Sequence, residues 1–217
     1  MAIPFRGLSQ FKKALNGGGA RPNLFEVELP GPLPGDPQGL GTYDSEAELD
    51  FKFLCKTAQL PASNTGSIEV PFRGRQFKVA GDRTFDNWSV TIINDENFQL
   101  RRVMEGWMQA ISQYSDHSGL TDPNEYMKNA KVFQLGRGEV TTETGTGSGG
   151  NSKILAQYRF VDIFPVNVSA IELSYDSTDT IEEFTVDFAV QYWTPENVTK
   201  SSNTSTQAGQ DQAQLGA

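Results

Sequence analysis

Few residues in this chain are of a type that does covalent chemistry, and their spacing does not gather them. The 217 residues include one histidine, His117, and one cysteine, Cys55. A hydrolase or transferase needs a base beside a nucleophile, or a cluster of metal ligands, and single copies leave few ways to build either. His117 lies in a polar stretch, 115–124, and reads as an exposed loop histidine rather than a catalytic base or pH sensor. Cys55 stands among alternating apolar residues and reads as a small buried hydrophobe with no internal disulfide partner.

Three further patterns deserve the same test. Gly145, Gly147 and Gly150 match G-x-G-x-x-G. That pattern cradles phosphate only where an apolar strand enters and a helix leaves, and neither signal flanks it. Glu182 and Glu183 are adjacent, so on a strand they point to opposite faces and make a poor acid–base pair. The acidic run 176–179 lacks the glycine and distal glutamate of a calcium loop and reads as a solvated turn. No catalytic, cofactor-binding or metal-ligating set is expected, and the chain reads as a non-enzyme.

Charge narrows the partners. Lys plus Arg is 18 and Asp plus Glu is 27, a formal net charge of −9. Gripping nucleic acid takes clustered cations, and the basic clusters Arg73 with Arg75 and Arg101 with Arg102 are short. Tight nucleic-acid binding is not expected. No apolar run nears the ~20 residues that cross a bilayer, and the start lacks a signal-peptide core, so the expectation is a soluble protein made inside the cell, without membrane contact. The sequons at Asn87, Asn167, Asn197 and Asn203 are then chance.

The elements follow from periodicity. Phe5, Leu8, Phe11 and Leu15 predict a short amphipathic helix or arm that ends at the glycines of 16–19. Phe25, Val27 and Leu29 predict a strand, closed by a Pro- and Gly-rich loop at 30–41. Leu49, Phe51, Phe53 and Cys55 alternate with Asp50, Lys52 and Leu54 and predict a second strand, which stops near Pro61. Ile68, Val70 and Phe72, then Phe77 and Val79, predict two strands around the turn Arg73-Gly74-Arg75. A longer strand is expected over 84–93, with Trp88, Val90 and Ile92 on one face and Asn87, Ser89 and Thr91 on the other.

Asn94 or Asp95 can cap a helix in which Leu100, Val103, Met104, Trp107, Ile111 and Tyr114 recur on one face for about five turns, covering the sheet. Strands follow around 131–135, at Tyr158 to Ile163, and at Ile171, Leu173 and Tyr175. The inward phase changes between Phe160 and Val161, which predicts a bulge. The longest alternation puts Phe184, Val186, Phe188, Val190 and Tyr192 inward and Glu183, Thr185 and Asp187 outward. The Gly- and Thr-rich connection at 136–152 and the polar end after Trp193 read as flexible.

Four runs taken together resemble the tail tube proteins of T-even-like contractile phages and their cyanophage relatives. They are ARPNLF at 20–25, the segment 55–61, VAGDRTFDNWSVTIINDE at 79–96, and FPVNVSAIELSYDSTDTIEEFTVDFAVQYW at 164–193. The most specific motif is Gly81, Asp82, Arg83, Thr84 and Phe85 with Trp88. The resemblance implies a mainly β (α+β) fold, an antiparallel β-sandwich or small barrel flanked by one long helix. It also implies six-membered rings whose inner strands join in a continuous barrel, and no cofactor. The domain would span 20–194, with insertions at 30–47 and 136–152, between an arm at 1–19 and a tail at 195–217.

The implied role is a structural subunit of the tail tube, the conduit for DNA ejection inside a contractile sheath. Its partners would be copies of itself, the tail sheath protein, the baseplate or tube initiator, the tail terminator, the tape measure protein, and viral DNA passing without specific binding. Its place would be the virion tail, and the host cytoplasm during assembly. Asp50, Glu183 and Asp187 are candidates for the lumen or a ring interface. Two other readings stand beside this one: a tube subunit of a DNA-free injection or secretion device, and an extracellular β-sandwich binding module.

Overall fold

A computed structural model of the chain describes residues 7–15, 19–34, 43–60, 62–139 and 152–196. Phe5, the Gly145 to Gly150 pattern, the centres of the 30–47 and 136–152 insertions and the tail from 197 lie outside the described residues. In chain order the elements are α1 (Leu8–Ala14), β1 (Phe25–Glu28), α2 (Ser45–Leu54), β2 (Cys55–Ala58), β3 (Ser63–Phe72), β4 (Arg75–Phe85), β5 (Trp88–Ile93), α3 (Gln99–Ile111), α4 (Pro123–Tyr126), β6 (Lys128–Glu139), β7 (Ser152–Val168), β8 (Glu183–Ala189) and β9 (Tyr192–Glu196).

The architecture turns on β7. Its first part pairs antiparallel with β6, and with β9 on its other edge; its last residues pair with β8. The strand order is β1-β6-β7-β8-β5-β2, with β9 on β7, and the sheet does not close on itself. At the switch, Lys128 faces Ile163 while Ala130 faces Phe160, so β7 holds an extra residue there. Asp162 adopts φ 54 and its N–H donates to Asn129 Oδ1 at 3.2 Å. This is the expected bulge. It lets Phe160 and Ile163, which strict alternation would put on opposite faces, both bury completely.

The buried face is lined by Val27 of β1, Trp88, Val90 and Ile92 of β5, Ala130 and Val132 of β6, and Phe184, Val186 and Phe188 of β8. The helices cover it. Helix α3 contributes the expected stripe of Leu100, Val103, Met104 and Trp107, and the Trp107 Nε1–H donates to the Tyr126 carbonyl at 2.8 Å. The N-cap of α3 is Phe98, at φ 54, and not Asn94 or Asp95 as expected; Asp95 instead supports the turn before it, its carboxylate accepting from the N–H of Gln99 at 3.1 Å and of Asn97 at 3.2 Å. The helix ends at Ile111, short of Tyr114, which is exposed.

Several expectations need correction. The predicted strand through Leu49, Phe51 and Phe53 is helix α2, so Asp50 lies on a helix. The Asp44 carboxylate accepts the N–H groups of Glu46 at 3.1 Å and Ala47 at 2.9 Å, which starts a helix before the alternation begins. Ala47 and Phe51, four apart, are then buried, while Leu49 and Phe53 are 54% and 76% exposed. The predicted strand at 84–93 breaks at Asp86 and Asn87 into β4 and β5. No strand forms at Ile171, Leu173 and Tyr175, an exposed connection between β7 and β8. The long last strand stops at Ala189; after Val190 and Gln191 the chain crosses to β7 as β9, leaving Tyr192 exposed and running past Trp193 to Glu196.

Candidate functional site

Two surfaces stand out, one made of polar side chains in register and one of apolar side chains left bare. The first is the outward face of β2, β5, β8 and the end of β7. Ser89 faces Asp187, which faces Asn167; in the next outward row Thr57 faces Thr91, which faces Thr185. Antiparallel pairing brings such directly opposed side chains to about 5 Å, close enough to bond across strands. They do: Ser89 Oγ donates to Asp187 Oδ1, Asn167 Nδ2 donates to Asp187 Oδ2 at 3.0 Å, and the Thr91 and Thr185 hydroxyls are 3.2 Å apart. The Ser89 hydroxyl, and after it the Asn167 amide, hold the Asp187 carboxyl below its usual range.

The third row pairs Ile93 with Glu183, whose Oε1 accepts from Lys56 Nζ at 2.5 Å. That ion pair is half exposed, so it adds about 0–1 kcal/mol to stability. Its larger effect is on charge. Of the charged residues on these strand segments, Lys56 is the one cation and Glu183 neutralises it, leaving Asp187 with a net negative charge. Glu183 and Asp187 are thus brought onto one face as expected from alternation; Asp50, on α2, is not part of it. Glu182 points away from this face toward the Asn94 amide, which donates to it at 3.0 Å.

The second surface is the ribbon of β3 and β4, which pair with each other and, among the described residues, with no other strand. Arg73 at φ 46 and Gly74 at φ 81 make the tight turn, the backbone that matches the twist of a two-residue hairpin. Ile68 faces Val79, Val70 faces Phe77, and Phe72 faces Arg75, so one side of the ribbon is apolar. Those apolar side chains are 43–65% exposed. The opposite side carries Glu69 and Lys78, an ion pair at 3.3 Å. A lone two-stranded ribbon is marginally stable in water, and an open strand edge invites another chain.

The singled-out motif residues divide between these regions. Gly81 sits opposite Gly66, where the register shifts, and a Cβ there would come within 3.3 Å of the Gly66 backbone. Any larger side chain there would press on the Gly66 backbone, because the two strands approach closely at this point. Asp82, Arg83 and Thr84 are exposed along β4. Phe85 meets the Trp193 ring edge-on at 6.2 Å, and Trp88 is fully buried.

The isolated reactive residues stay isolated. Burial pushes the Cys55 thiol up to about 12, and Sγ reaches only the Thr57 carbonyl, at 3.6 Å. His117 is exposed in its loop at φ 58, with Nδ1 3.4 Å from Ser112 Oγ. Among the described residues no group of three or more His, Cys, Asp or Glu could hold a metal ion, and no helix is long and apolar enough to cross a membrane. Alternation had already assigned Ser89, Thr91, Thr185 and Asp187 to outward faces. It carried no sign of Lys56, Thr57 or Asn167, which reach the ladder through pairing.

Residues 20–196 match the family model described as phage tail tube protein. The tail tube protein gp19 of Enterobacteria phage T4 is 33% identical over 174 residues, 80% of this chain and 90% of that protein. The tail tube protein of Serratia phage KSP90 is 28% identical over 138 residues, 64% of this chain and 71% of that one. In solved structures, the tube-terminating cap of the anti-feeding prophage superposes with a TM-score of 0.52 at 16% identity, covering 82% of this chain and 91% of the cap. The sheath/tube terminator of an extracellular contractile injection system in its extended state gives 0.52 at 13% identity, covering 82% and 97%. At those identities the likeness is one of fold.

Proposed function

Because the chain belongs to the phage tail tube protein family, we propose that it is the wall subunit of a contractile phage tail: copies close into six-membered rings, the rings stack, and the genome passes through the bore. The ladder of Ser89, Asp187, Asn167 and the three threonines is the bore-facing surface. DNA carries about one negative charge per 1.7 Å of its axis, and any unpaired cation along the path would hold it. On these strand segments the one cation, Lys56, is tied to Glu183, and Asp187 keeps its charge through two hydrogen bonds. That absence of a free cation on a registered polar face is the observation that carries the reading.

The bare β3–β4 ribbon supports self-assembly, since an apolar face and open edges on one subunit are covered by the next. Contacts between successive rings are head-to-tail and do not close, so the stack continues until another component ends it. In this reading the tail terminator stops growth, the baseplate initiator starts it, the tape measure protein occupies the bore beforehand, and the sheath protein packs outside. The subunit catalyses nothing, assembles in the host cytoplasm and serves in the virion tail.

Electron microscopy of the purified chain at rising concentration tests this. Rings of six and tubes are expected, with Asp187 on the bore in the averaged density. A lone subunit at high concentration, as the extracellular binding module requires, would overturn the proposal, and Asp187 on the outer wall would remove its bore assignment. A DNA-free injection tube shares the fold, and the 33% identity to the phage T4 protein favours the phage reading.

A further inference from the structure

The connection between β7 and β8 is as bare as the ribbon. Leu173, Tyr175 and Ile181 are exposed there, around an open cavity of about 570 Å³ that Glu172 and Glu182 also line. Residues 170–182 carry Glu172, Asp176, Asp179 and Glu182 and no lysine or arginine, a charge of −4. Residues 63–85 carry Arg73, Arg75, Lys78 and Arg83 against Glu69 and Asp82, a charge of 4 − 2 = +2, in a chain whose total is −9. The ribbon is therefore a cationic, apolar projection, and the connection is an anionic, apolar recess.

We infer that the apex of the β3–β4 ribbon of one copy seats in the β7–β8 recess of another. This rests on the tail-tube reading and adds which surfaces meet. Strands of this length reach about 33 Å at about 3.3 Å per residue, enough to leave the body of their own subunit. The rigid two-residue turn presents Arg73 and Arg75 together at the tip, with Phe72 beside them and the Arg73 guanidinium 5.5 Å over its ring. Burying Phe72 and Phe77 against Leu173, Tyr175 and Ile181 would remove apolar surface from water on both partners, and the opposed charges set the direction of docking. Because ribbon and recess are different surfaces, the contact is heterologous, as a stacking or ring-forming contact must be.

The test is charge reversal with mutual rescue. Arg73→Glu with Arg75→Glu takes the ribbon from +2 to −2, and Glu172→Arg with Asp176→Arg and Asp179→Arg takes the recess from −4 to +2; all five positions are exposed, so near-ultraviolet circular dichroism should stay native. Each variant alone should need at least about tenfold more protein to assemble, read by light scattering and microscopy, because like charges then face each other. An equimolar mixture should regain native assembly, since each reversed tip finds a reversed recess. Helix α1, with Phe11, Lys12 and Lys13, supplies a control: rescue of Lys12→Glu with Lys13→Glu by the reversed recess, in place of the tip variant, would overturn the proposal. So would unchanged assembly of either reversed variant, or a mixture that fails to recover. Failure of the native chain to assemble would instead reject the tail-tube reading itself.

Discussion

The Trp88 indole lies on the Phe160 ring, centroids 4.6 Å apart and planes 13° from parallel. Trp88 belongs to β5 and Phe160 to the part of β7 that pairs with β6 and β9, so this one stack ties the two halves of the sheet that diverge at the Asp162 bulge. Phe188 at 5.3 Å from Trp88 and Trp107 at 6.0 Å from Phe188 extend it to helix α3.

Trp88→Ala and Phe160→Ala should each destabilise the fold by about 3–5 kcal/mol, because each leaves a cavity between sheet and helix. The double variant should lose less than the sum, since the second truncation removes a contact already gone. Equilibrium denaturation in urea measures all three; strict additivity would show that the stack is not a unit.

Asp187 sets an acid limit. Its folded carboxyl titrates lower than in the unfolded chain, so its hydrogen bonds stabilise the fold above the unfolded carboxylate range near pH 4, and that contribution disappears as pH falls through the folded value. Asp187→Asn should flatten the loss of thermal stability between pH 5 and pH 3, in calorimetry about that range. Ser89→Ala should cost about 1 kcal/mol at pH 7 and also shallow the acid slope. An unchanged acid profile in both variants would count against the bond.

At the alkaline end the sign is opposite. Burial raises the Cys55 thiol from 9.0 to about 12, so the protonated form favours the fold below pH 9, and that stabilisation is lost as pH rises toward 12. The neutral thiol is a poor nucleophile. At pH 8 the native protein should react with a maleimide far more slowly than the urea-unfolded chain, followed by mass spectrometry; equal rates would show that Cys55 is open to solvent.

Asp44→Ala removes the acceptor at the start of α2 and should cost about 1 kcal/mol, with Asp44→Ser retaining most of it. Thermal melts decide, and equal losses in both variants would mean that the carboxylate's charge, not its capping geometry, holds the turn.

The cap at Asp44 also explains the main misreading. Leu49, Phe51, Phe53 and Cys55 alternate as a strand does, but the capped turn imposes helical phase, and burial at Ala47 and Phe51 rewards it. Where alternation had no competing start signal, at Trp88, Val90 and Ile92 or at Phe184, Val186 and Phe188, the buried face is as expected. The ladder was half legible for the same reason. Ser89 and Asp187 could be placed on polar faces, but their bond joins residues 98 apart in the chain, and local periodicity carries no information about which strands pair.

What the sequence determined alone was the set of faces: an apolar side for each strong strand and for α3, a bulge after Phe160, and an acidic balance. Those are local properties, decided by side-chain period and residue type. Tertiary structure alone decided which polar residues meet across strands and which apolar faces stay uncovered. Ile68, Val70, Phe72, Phe77 and Val79 alternate as a buried strand would, because an apolar ribbon is written the same way whether its own chain or another copy covers it; only the folded subunit leaves that face bare.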